Sequence, residues 1–557
     1  MNTDALTRRL GWLAIVAAVA VLYWPVMDAP FVYDDKIEVI GNTTIRFLDQ
    51  WRAIILYNVS RTLLLLTYAV NYHYSAADPT GYHITNLVIH ALTVGAGVLM
   101  AESVGRLAER PRPLLAALVA GGLWAIHPMG TEAVTYITGR SESLCALWCF
   151  AALLCQANAL LARRDDTGTE MLWRLGVLLA FGAAAICKEV SAVTPAAIFA
   201  MEWLLGGRRK DGKRHIAWAW MVPFVLLIGL AIIARLTFTG QLLPREVDRS
   251  LSVQLTTQAW VWLRYLSLWL APLGQTLYHH VPDLTLTSAR GIAGWLGVGG
   301  LVGSGVWWGR RNPAAGLALL CGALYLLPSS SIVPLKESMA EHRAYQTGLW
   351  LLLAITWSVP SRHLKSAGIL AAAAALPLAL ATQARNAVWS SEVALWEEAV
   401  RYHPEVAEAW YGLGDAWRFA QGYERAEDAF QRAVALDPDY LDAWNNLGIV
   451  RAEQGQTDAE DAWRAALRIS PGYCKAHNNL GSLAYRQQRW DVAIAEFRST
   501  IAHCPDDVVA HYSLGNLYAG PRLNRERAIV HFEAVLNLAP TFRFAAQARQ
   551  KLLELTW

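Results

Sequence analysis

Long runs of apolar residues fill most of the chain before residue 385 and decide what it can fold into. A segment that crosses a bilayer can satisfy its backbone polar groups as a helix, and needs about 20 residues to do so. Apolar residues make up 55% of the 557 positions. The sequence predicts an all-α fold whose residues 1–384 form a multispanning membrane domain. Its about eleven spans are 10–27, 84–104, 113–126, 141–162, 171–187, 189–206, 216–235, 290–309, 314–328, 346–360 and 366–382.

Lys and Arg in the short loops orient these spans. Basic clusters follow spans two, four, six, eight and ten, and another precedes span one, so all of them fall on one side. The positive-inside rule makes that side the cytoplasm. The N-terminus is then cytoplasmic, and the external loops are 28–83, 127–140, 236–289 and 329–345, with a very short one between spans five and six that holds Lys188 and Glu189. Residues 253–272 are apolar but include Arg264, so we interpret them as an interfacial or re-entrant outer helix, with a twelfth span as the alternative.

Ionisable side chains concentrate in the predicted outer loops. Asp34 and Asp35 directly follow the first span, where carboxylates beside hydrocarbon are costly and often functional. Such a carboxylate could accept the proton of an attacking hydroxyl, or the pair could hold a divalent cation. The residues alone do not separate these roles, and a helix cap is the structural alternative. No other cofactor is indicated.

Cationic and imidazole groups in the same loops suit a phosphate. Arg forks and Lys ammonium groups offset phosphate charge, and His can bond phosphate or orient a carboxylate. Structural ion pairs, Glu132 with Arg140 and Lys188 with Glu189, are the alternative. The predicted substrate-binding set is His127, Glu132, Arg140, Lys188, Glu189, Lys336, Glu341, His342 and Arg343.

The C-terminal part of the chain repeats with a period near 34 residues. Gly recurs at 414, 448, 481 and 515, and Pro at 404, 438, 471, 505 and 540. Together with motifs such as Ala443-Trp-Asn-Asn-Leu-Gly448, this spacing is typical of tetratricopeptide (TPR) repeats. Residues 385–557 are therefore predicted to form an extracytoplasmic TPR α-solenoid of about four repeats with flanking helices.

Two sets of residues in the repeats carry further predictions. Amides on the first helices could grip an extended peptide, or could simply be solvated. These are Asn445, Asn446, Asn478, Asn479 and Asn516. Cys474 and Cys504 open and close one repeat at the same end of the array, so they could form a disulfide in an oxidising compartment.

Several motifs, in order, resemble those of the protein O-mannosyltransferase superfamily, in its transmembrane-and-TPR type with the GT-C fold. They include FVYDDKIEVIGN (31–42), WAIHPMGTEAVTYITGRSESL (124–144) and AEHRAYQTGL (340–349). The resemblance implies an inverting transferase that uses a polyprenyl-phosphate sugar and acts on Ser or Thr of an exported protein. It places Asp34 and Asp35 in the acidic motif. Related bacterial chains often have Lys-Pro where this chain has Lys188-Glu189, so the role of Glu189 is open.

The predicted partners are a polyprenyl-phosphate sugar, an acceptor protein and membrane lipids. The net charge of +3 argues against nucleic acid. A bacterial inner membrane is the expected location. The alternatives are a non-enzymatic TPR scaffold for an envelope complex, and a transferase acting on polysaccharide or lipid. A transporter is disfavoured because the ionisable residues lie in loops rather than within spans.

Overall fold

The computed structural model describes residues 3–206, 218–239, 249–328, 334–335, 337–540 and 544–556, which contain helices and no strand. Two compact units follow one another, Met1–Leu395 and Trp396–Trp557. The first contains α1 Thr3–Tyr23, α2 Trp51–Tyr57, α3 Thr62–Ser75, α4 Pro79–Leu107, α5 Pro113–Ala125, α6 Thr131–Val134, α7 Arg140–Arg164, α8 Glu170–Ala185, α9 Thr194–Leu205, α10 Val222–Thr239, α11 Leu251–Leu270, α12 Ala289–Gly309, α13 Pro313–Leu326, α14 Tyr345–Ser358 and α15 Leu364–Trp389.

Each predicted span overlies one of these helices, and segment 216–235 begins at two residues outside the described part. Four of the described helices, α1, α4, α7 and α15, are long and apolar enough to cross a membrane. A fifth candidate joins α5 to Pro128–Val134 across a 65° bend. We take α5 to end the span and the bend at His127 to begin the outer loop. The count of about eleven spans stays a prediction.

Short helices explain why the count is difficult. Helices α5, α9 and α14 have 13, 12 and 14 residues. At 1.5 Å per residue they reach only about 20 Å, against about 30 Å of hydrocarbon. Apolar composition identifies such segments as buried helices without fixing whether each spans alone.

The first unit is a bundle built around α4 and α7. Helix α4 packs against α5 and α7, α7 against α8, and α11 to α14 pack in succession. Helices α14 and α13 close the bundle against α5 and α9. Trp124, Trp350 and Trp357 are fully buried in the core. Gly348 lets α14 approach α11, because a Cβ there would lie 2.2 Å from the Trp269 ring.

The second unit is a series of antiparallel helix pairs. It follows on from α16 Glu392–Tyr402 and comprises α17 Ala407–Phe419, α18 Tyr423–Leu436, α19 Leu441–Glu453, α20 Ala459–Ile469, α21 Cys474–Arg486, α22 Trp490–His503, α23 Val508–Ala519, α24 Arg525–Leu538 and α25 Ala545–Thr556. The recurring glycines face rings on the paired helix. Added Cβ atoms at Gly448 and Gly481 would lie 2.5 Å and 2.9 Å from Trp463 and Phe497. The period near 34 therefore reflects the close contact that each recurring glycine allows between the two helices of a repeat.

Candidate functional site

Asp34 and Asp35 differ sharply in their surroundings. Asp35 is 1% exposed, and its Oδ1 and Oδ2 accept hydrogen bonds from the backbone N–H groups of Thr138 (2.9 Å) and Val32 (3.2 Å). Asp34 is exposed, and its backbone N–H donates to the Tyr136 hydroxyl at 3.1 Å. Asp35 thus joins the first predicted outer loop to the second, while the Asp34 carboxylate remains accessible.

Negative charge accumulates near Asp34. Desolvation by the surrounding protein, and next the charge of the Glu337 carboxylate, raise the pKa of Asp34 to about 6. The hydrogen bond with the Tyr136 hydroxyl acts in the opposite direction and lowers this pKa. Glu337 itself accepts a hydrogen bond from the Tyr33 hydroxyl at 2.6 Å. A carboxylate with a pKa near the working pH is suited to accepting a proton from a hydroxyl.

Tyr33 and Lys36 hold the acidic loop in place. Tyr33 has a positive φ of 50°, a conformation that costs free energy for a side chain of this size. Its backbone N–H donates to Glu392 Oε1 at 3.4 Å, and Lys36 forms an ion pair with Glu392. The loop is therefore fixed by contacts on both sides of Asp34.

Two carboxylate–histidine pairs join residues of the second, third and last predicted outer loops. His342 Nδ1 lies 2.6 Å from Glu132 Oε1, and His279 Nε2 lies 2.9 Å from Glu341 Oε1. Glu341 also accepts from Gln275 Nε2 at 2.6 Å and from the backbone of Thr276. The predicted residues Glu132, Glu341 and His342 are thus brought together, with Glu341 held by the loop that precedes α12.

Lys188 and Arg343 are the predicted cations that this cluster contains. Lys188 Nζ pairs with Glu142 Oε1 at 2.8 Å, and Arg343 donates to the backbone carbonyl of Glu337 at 2.8 Å. Burial lowers the pKa of His342 most, and the charges of both cations lower it further. They place positive charge beside the ring of a histidine that stays neutral.

Other predicted site residues lie elsewhere. Arg140 is fully buried and donates to Asn86, Asn71, Thr67 and the backbone of Tyr82, so its guanidinium supports the protein rather than a ligand. The structural ion-pair alternatives are also not what is seen. Glu132 bonds His342 and Lys188 bonds Glu142.

The charge of Glu341 acts on His127, whereas Glu189 bonds a residue of the first predicted outer loop, and Lys336 lies outside the described residues. His127 is 2% exposed, accepts from the Met129 backbone at 3.2 Å and lies against the Trp269 ring at 4.4 Å. Glu189 is exposed and accepts from Ser60 at 3.2 Å. A capping role for His127 could have been read from the His-Pro that follows α5.

The sequence did not single out His279, Tyr136 or Glu337 as site residues. Each acts through a partner far along the chain, and no local spacing signals such a pair. Helix α11 supports the last loop in the same way. Its Gln258, Tyr265 and Trp269 side chains donate to the carbonyls of Ser338 (3.0 Å), Ala340 (2.8 Å) and Ala344 (3.1 Å).

A metal ion does not fit the acidic pair. Asp35 is 1% exposed and each of its oxygens accepts a backbone hydrogen bond, so its carboxylate is enclosed and serves the fold. Across the described ranges, no three His, Cys, Asp or Glu side chains are grouped to hold a metal. The mechanism proposed below therefore uses no metal ion.

The TPR unit carries a separate cavity of about 470 Å³. Asn479 and Asn516 line it, together with Tyr485, Arg486, Tyr512 and Phe544. Asn445 and Asn446 are instead buried, 4% and 9% exposed, and hydrogen-bond one another. Asn479 Nδ2 donates to Asn445 Oδ1 at 2.8 Å, and Asn478 donates to Asp507 at 2.9 Å. Part of the predicted peptide-binding set thus joins neighbouring repeats.

The two cysteines of the unit form the disulfide Cys474–Cys504, with their Cα atoms 6.5 Å apart. The described free cysteines are in the first unit, where Cys145, Cys149, Cys187 and Cys321 are buried and Cys155 is half-buried. The pair in the second unit is thus bonded, while the free thiols of the first unit are largely enclosed.

The tetratricopeptide repeat family model matches residues 393–422, 418–474, 457–508 and 478–527, which confirms the predicted repeats. Curated relatives are protein O-mannosyl-transferases. Human TMTC3 is 26% identical over 78% of this chain and 52% of its own length, and Caenorhabditis elegans F38B6.6 is 24% identical over 77% and 63%. These relatives confirm the resemblance drawn from the motifs, although the chain spans about half the length of the TMTC3 relatives it matches.

Two solved structures are similar over about a third of the chain or less. The crystal structure of MamA is 23% identical, covers 27% of this chain and 86% of its own, and has a TM-score of 0.25. YrrB, described as a TPR protein with an unusual peptide-binding site, is 21% identical over 34% of this chain and 91% of its own, also with a TM-score of 0.25.

Proposed function

We propose that this chain is a multi-pass membrane glycosyltransferase of the GT-C type. It moves a sugar, mannose by the names of its relatives, from a polyprenyl-phosphate donor to Ser or Thr hydroxyls of an exported protein. The TPR repeats recruit that protein. One observation carries the proposal. The accessible Asp34 carboxylate and the Lys188–His342–Arg343 cluster share Glu337 as a neighbour, although they come from three different loops.

Asp34 is the proposed general base. The acceptor hydroxyl oxygen attacks the anomeric carbon as its proton passes to the Asp34 carboxylate. The bond between that carbon and the phosphate oxygen breaks, and its electron pair stays on the phosphate. Attack opposite the leaving group inverts the anomeric centre. A pKa of about 6 leaves Asp34 mostly ionised at neutral pH, yet basic enough to take the proton.

Lys188 and Arg343 are the proposed phosphate ligands. A monoester leaving group gains negative charge as the bond breaks, and fixed cations in a water-poor site stabilise that charge. The Lys188 side chain is 14% exposed and the Arg343 side chain 11% exposed, so both are held while still reaching the surface. Their own carboxylate partners, Glu142 and Glu337, would be displaced or shared when phosphate binds.

The proposed topology puts this cluster outside the cytoplasmic membrane of a bacterium. This topology has about eleven spans, a cytoplasmic N-terminus and an external TPR domain at 385–557. The convergence of residues from four predicted outer loops supports a common face. The Cys474–Cys504 disulfide supports an oxidising compartment for the tail.

The test compares Asp34→Asn with Asp49→Asn, which changes an exposed carboxylate of the same outer loop. Purified full-length protein receives radiolabelled polyprenyl-phosphate mannose and a Ser/Thr-rich peptide library, and transfer is counted. Loss of the base should lower transfer at least about 100-fold, while Asp49→Asn transfers normally. Unfolding temperatures in detergent check that both variants fold. Full transfer by folded Asp34→Asn would show that the assignment is wrong.

A further inference from the structure

We propose that His342 donates a hydrogen bond through Nε2–H to the departing phosphate oxygen, and that Glu132 is a positioning residue that fixes the tautomer needed for this. The inference rests on the proposed function and names a contact within it. The Glu132 side chain makes two contacts with His342, one through each oxygen. Its Oε2 accepts the His342 backbone N–H at 3.1 Å, and its Oε1 lies 2.6 Å from Nδ1. One ring nitrogen is therefore engaged inside the protein.

The other edge of the ring is available. The Glu132 side chain is 3% exposed, whereas that of His342 is 18% exposed. The charges that act on the ring are those of Lys188, Glu142, Arg343 and Glu337. We place the departing phosphate among those residues, where the free edge of the ring can reach it.

The location of the proton follows from burial and charge. Burial and the Glu341 carboxylate raise the pKa of Glu132 well above its usual range, against lowering by Arg385 and His279. Burial and Lys188 lower the pKa of His342 to about 3. At neutral pH the Glu132 carboxyl group keeps the proton, and its O–H donates a hydrogen bond to Nδ1. The single ring hydrogen is then on Nε2, and His342 is a neutral donor.

This arrangement stabilises charge without moving a proton. The acceptor's proton goes to Asp34, the electron pair of the broken bond stays on the phosphate, and Nε2–H only donates to that oxygen. A donor already in position costs no reorganisation when the bond breaks. At alkaline pH, Glu132 ionises and favours the hydrogen on Nδ1, so Nε2 becomes an acceptor that faces phosphate unfavourably. Transfer should therefore fall on the alkaline side.

The decisive variants are Glu132→Gln and Glu132→Ala. The backbone N–H of His342 requires an oxygen at the Oε2 position, so a Gln amide presents its NH2 group to Nδ1 and keeps the hydrogen on Nε2. Glu132→Gln should recover most of the transfer that Glu132→Ala loses, and should lack the alkaline fall. A Glu132→Gln variant that folds but transfers no better than Glu132→Ala would overturn the inference.

His342→Phe and His342→Gln provide the second measurement, with Asp34→Asn in the same assay. Removing the donor with Phe should lower kcat about 100-fold and weaken binding of farnesyl phosphate, and Gln should restore part of both. If His342→Phe matches the parent protein in kcat and in farnesyl phosphate binding while Asp34→Asn is inactive, this inference is wrong and the proposed function stands. If Asp34→Asn is fully active, the proposed function is wrong.

Discussion

At the scale of residues, the adjacent aspartates have separate tasks. Asp35 receives two backbone N–H groups from different loops, and an amide could accept only one of them. Asp35→Asn would place an NH2 group against the other donor. We expect it to lower the free energy of unfolding by about 1–3 kcal/mol, measured by thermal unfolding in detergent. Asp34→Asn is the matched control, and equal unfolding temperatures for the two variants would contradict this division.

The acid side of the pH profile belongs to Asp34 and Glu337. A base with a pKa of about 6 is protonated below that pH, so kcat/KM should fall as pH drops through 6. Glu337→Gln removes a negative charge that raises this pKa while keeping an acceptor for Tyr33. The acid limb should then move to lower pH. Glu109→Gln, in a predicted cytoplasmic loop, is the control. An unmoved limb in Glu337→Gln would exclude Glu337 as the cause.

At the scale of elements, the repeats share a bond that their sequence only partly revealed. The ring at one position of each first helix donates an N–H to a proline carbonyl six residues earlier. The rings are Trp410, Trp444, His477 and His511, at 2.8, 2.8, 2.9 and 3.0 Å from that oxygen. The period was visible from Gly and Pro. Trp and His can replace each other at this position because both rings offer an N–H donor. That shared role is visible only in the structure.

A histidine at that position makes the last repeat sensitive to acid. His511 uses Nε2–H for Pro505, so its Nδ1 accepts from His531 Nδ1 at 3.1 Å. Burial, His511, Arg527 and Arg498 lower the pKa of His531 to about 4, below its ordinary 6.5. A depressed histidine pKa means that stability is fully present above pH 6.5 and is lost as pH falls from 6.5 towards 4.

The matched variant comes from the chain's own first repeats. His511→Trp keeps the N–H donor to Pro505, as Trp410 and Trp444 do, and removes the second ring nitrogen. Hydrogen exchange of peptides covering 508–538, corrected for intrinsic rates, should show faster exchange at pH 5 than at pH 7.5 in the parent protein. The difference should shrink in His511→Trp. Equal pH sensitivity in both proteins would show that another group is responsible.

At the scale of the whole molecule, sequence predicts best what is periodic and local. The TPR array follows from spacing, and the apolar helices follow from composition. The roles of Arg140 and Asp35 could not be predicted, because their partners, such as Asn71, Asn86 and Thr138, lie in other segments. The sequence does not distinguish a charged loop side chain that faces a ligand from one whose polar atoms form hydrogen bonds inside the protein. The His342–Glu132 pair also depends on a separation that no motif spans.

The arrangement of faces is the prediction on which the proposed function depends. Asp78 and Leu523 are exposed in the predicted external parts, and Asp166 is exposed in a predicted cytoplasmic loop. Because the described free cysteines are buried or half-buried, background labelling should be low. In intact cells an impermeant maleimide should label Asp78→Cys and Leu523→Cys, and should reach Asp166→Cys only after permeabilisation. Protection of Asp78→Cys would place Asp34 on the cytoplasmic face, where an exported acceptor could not meet it.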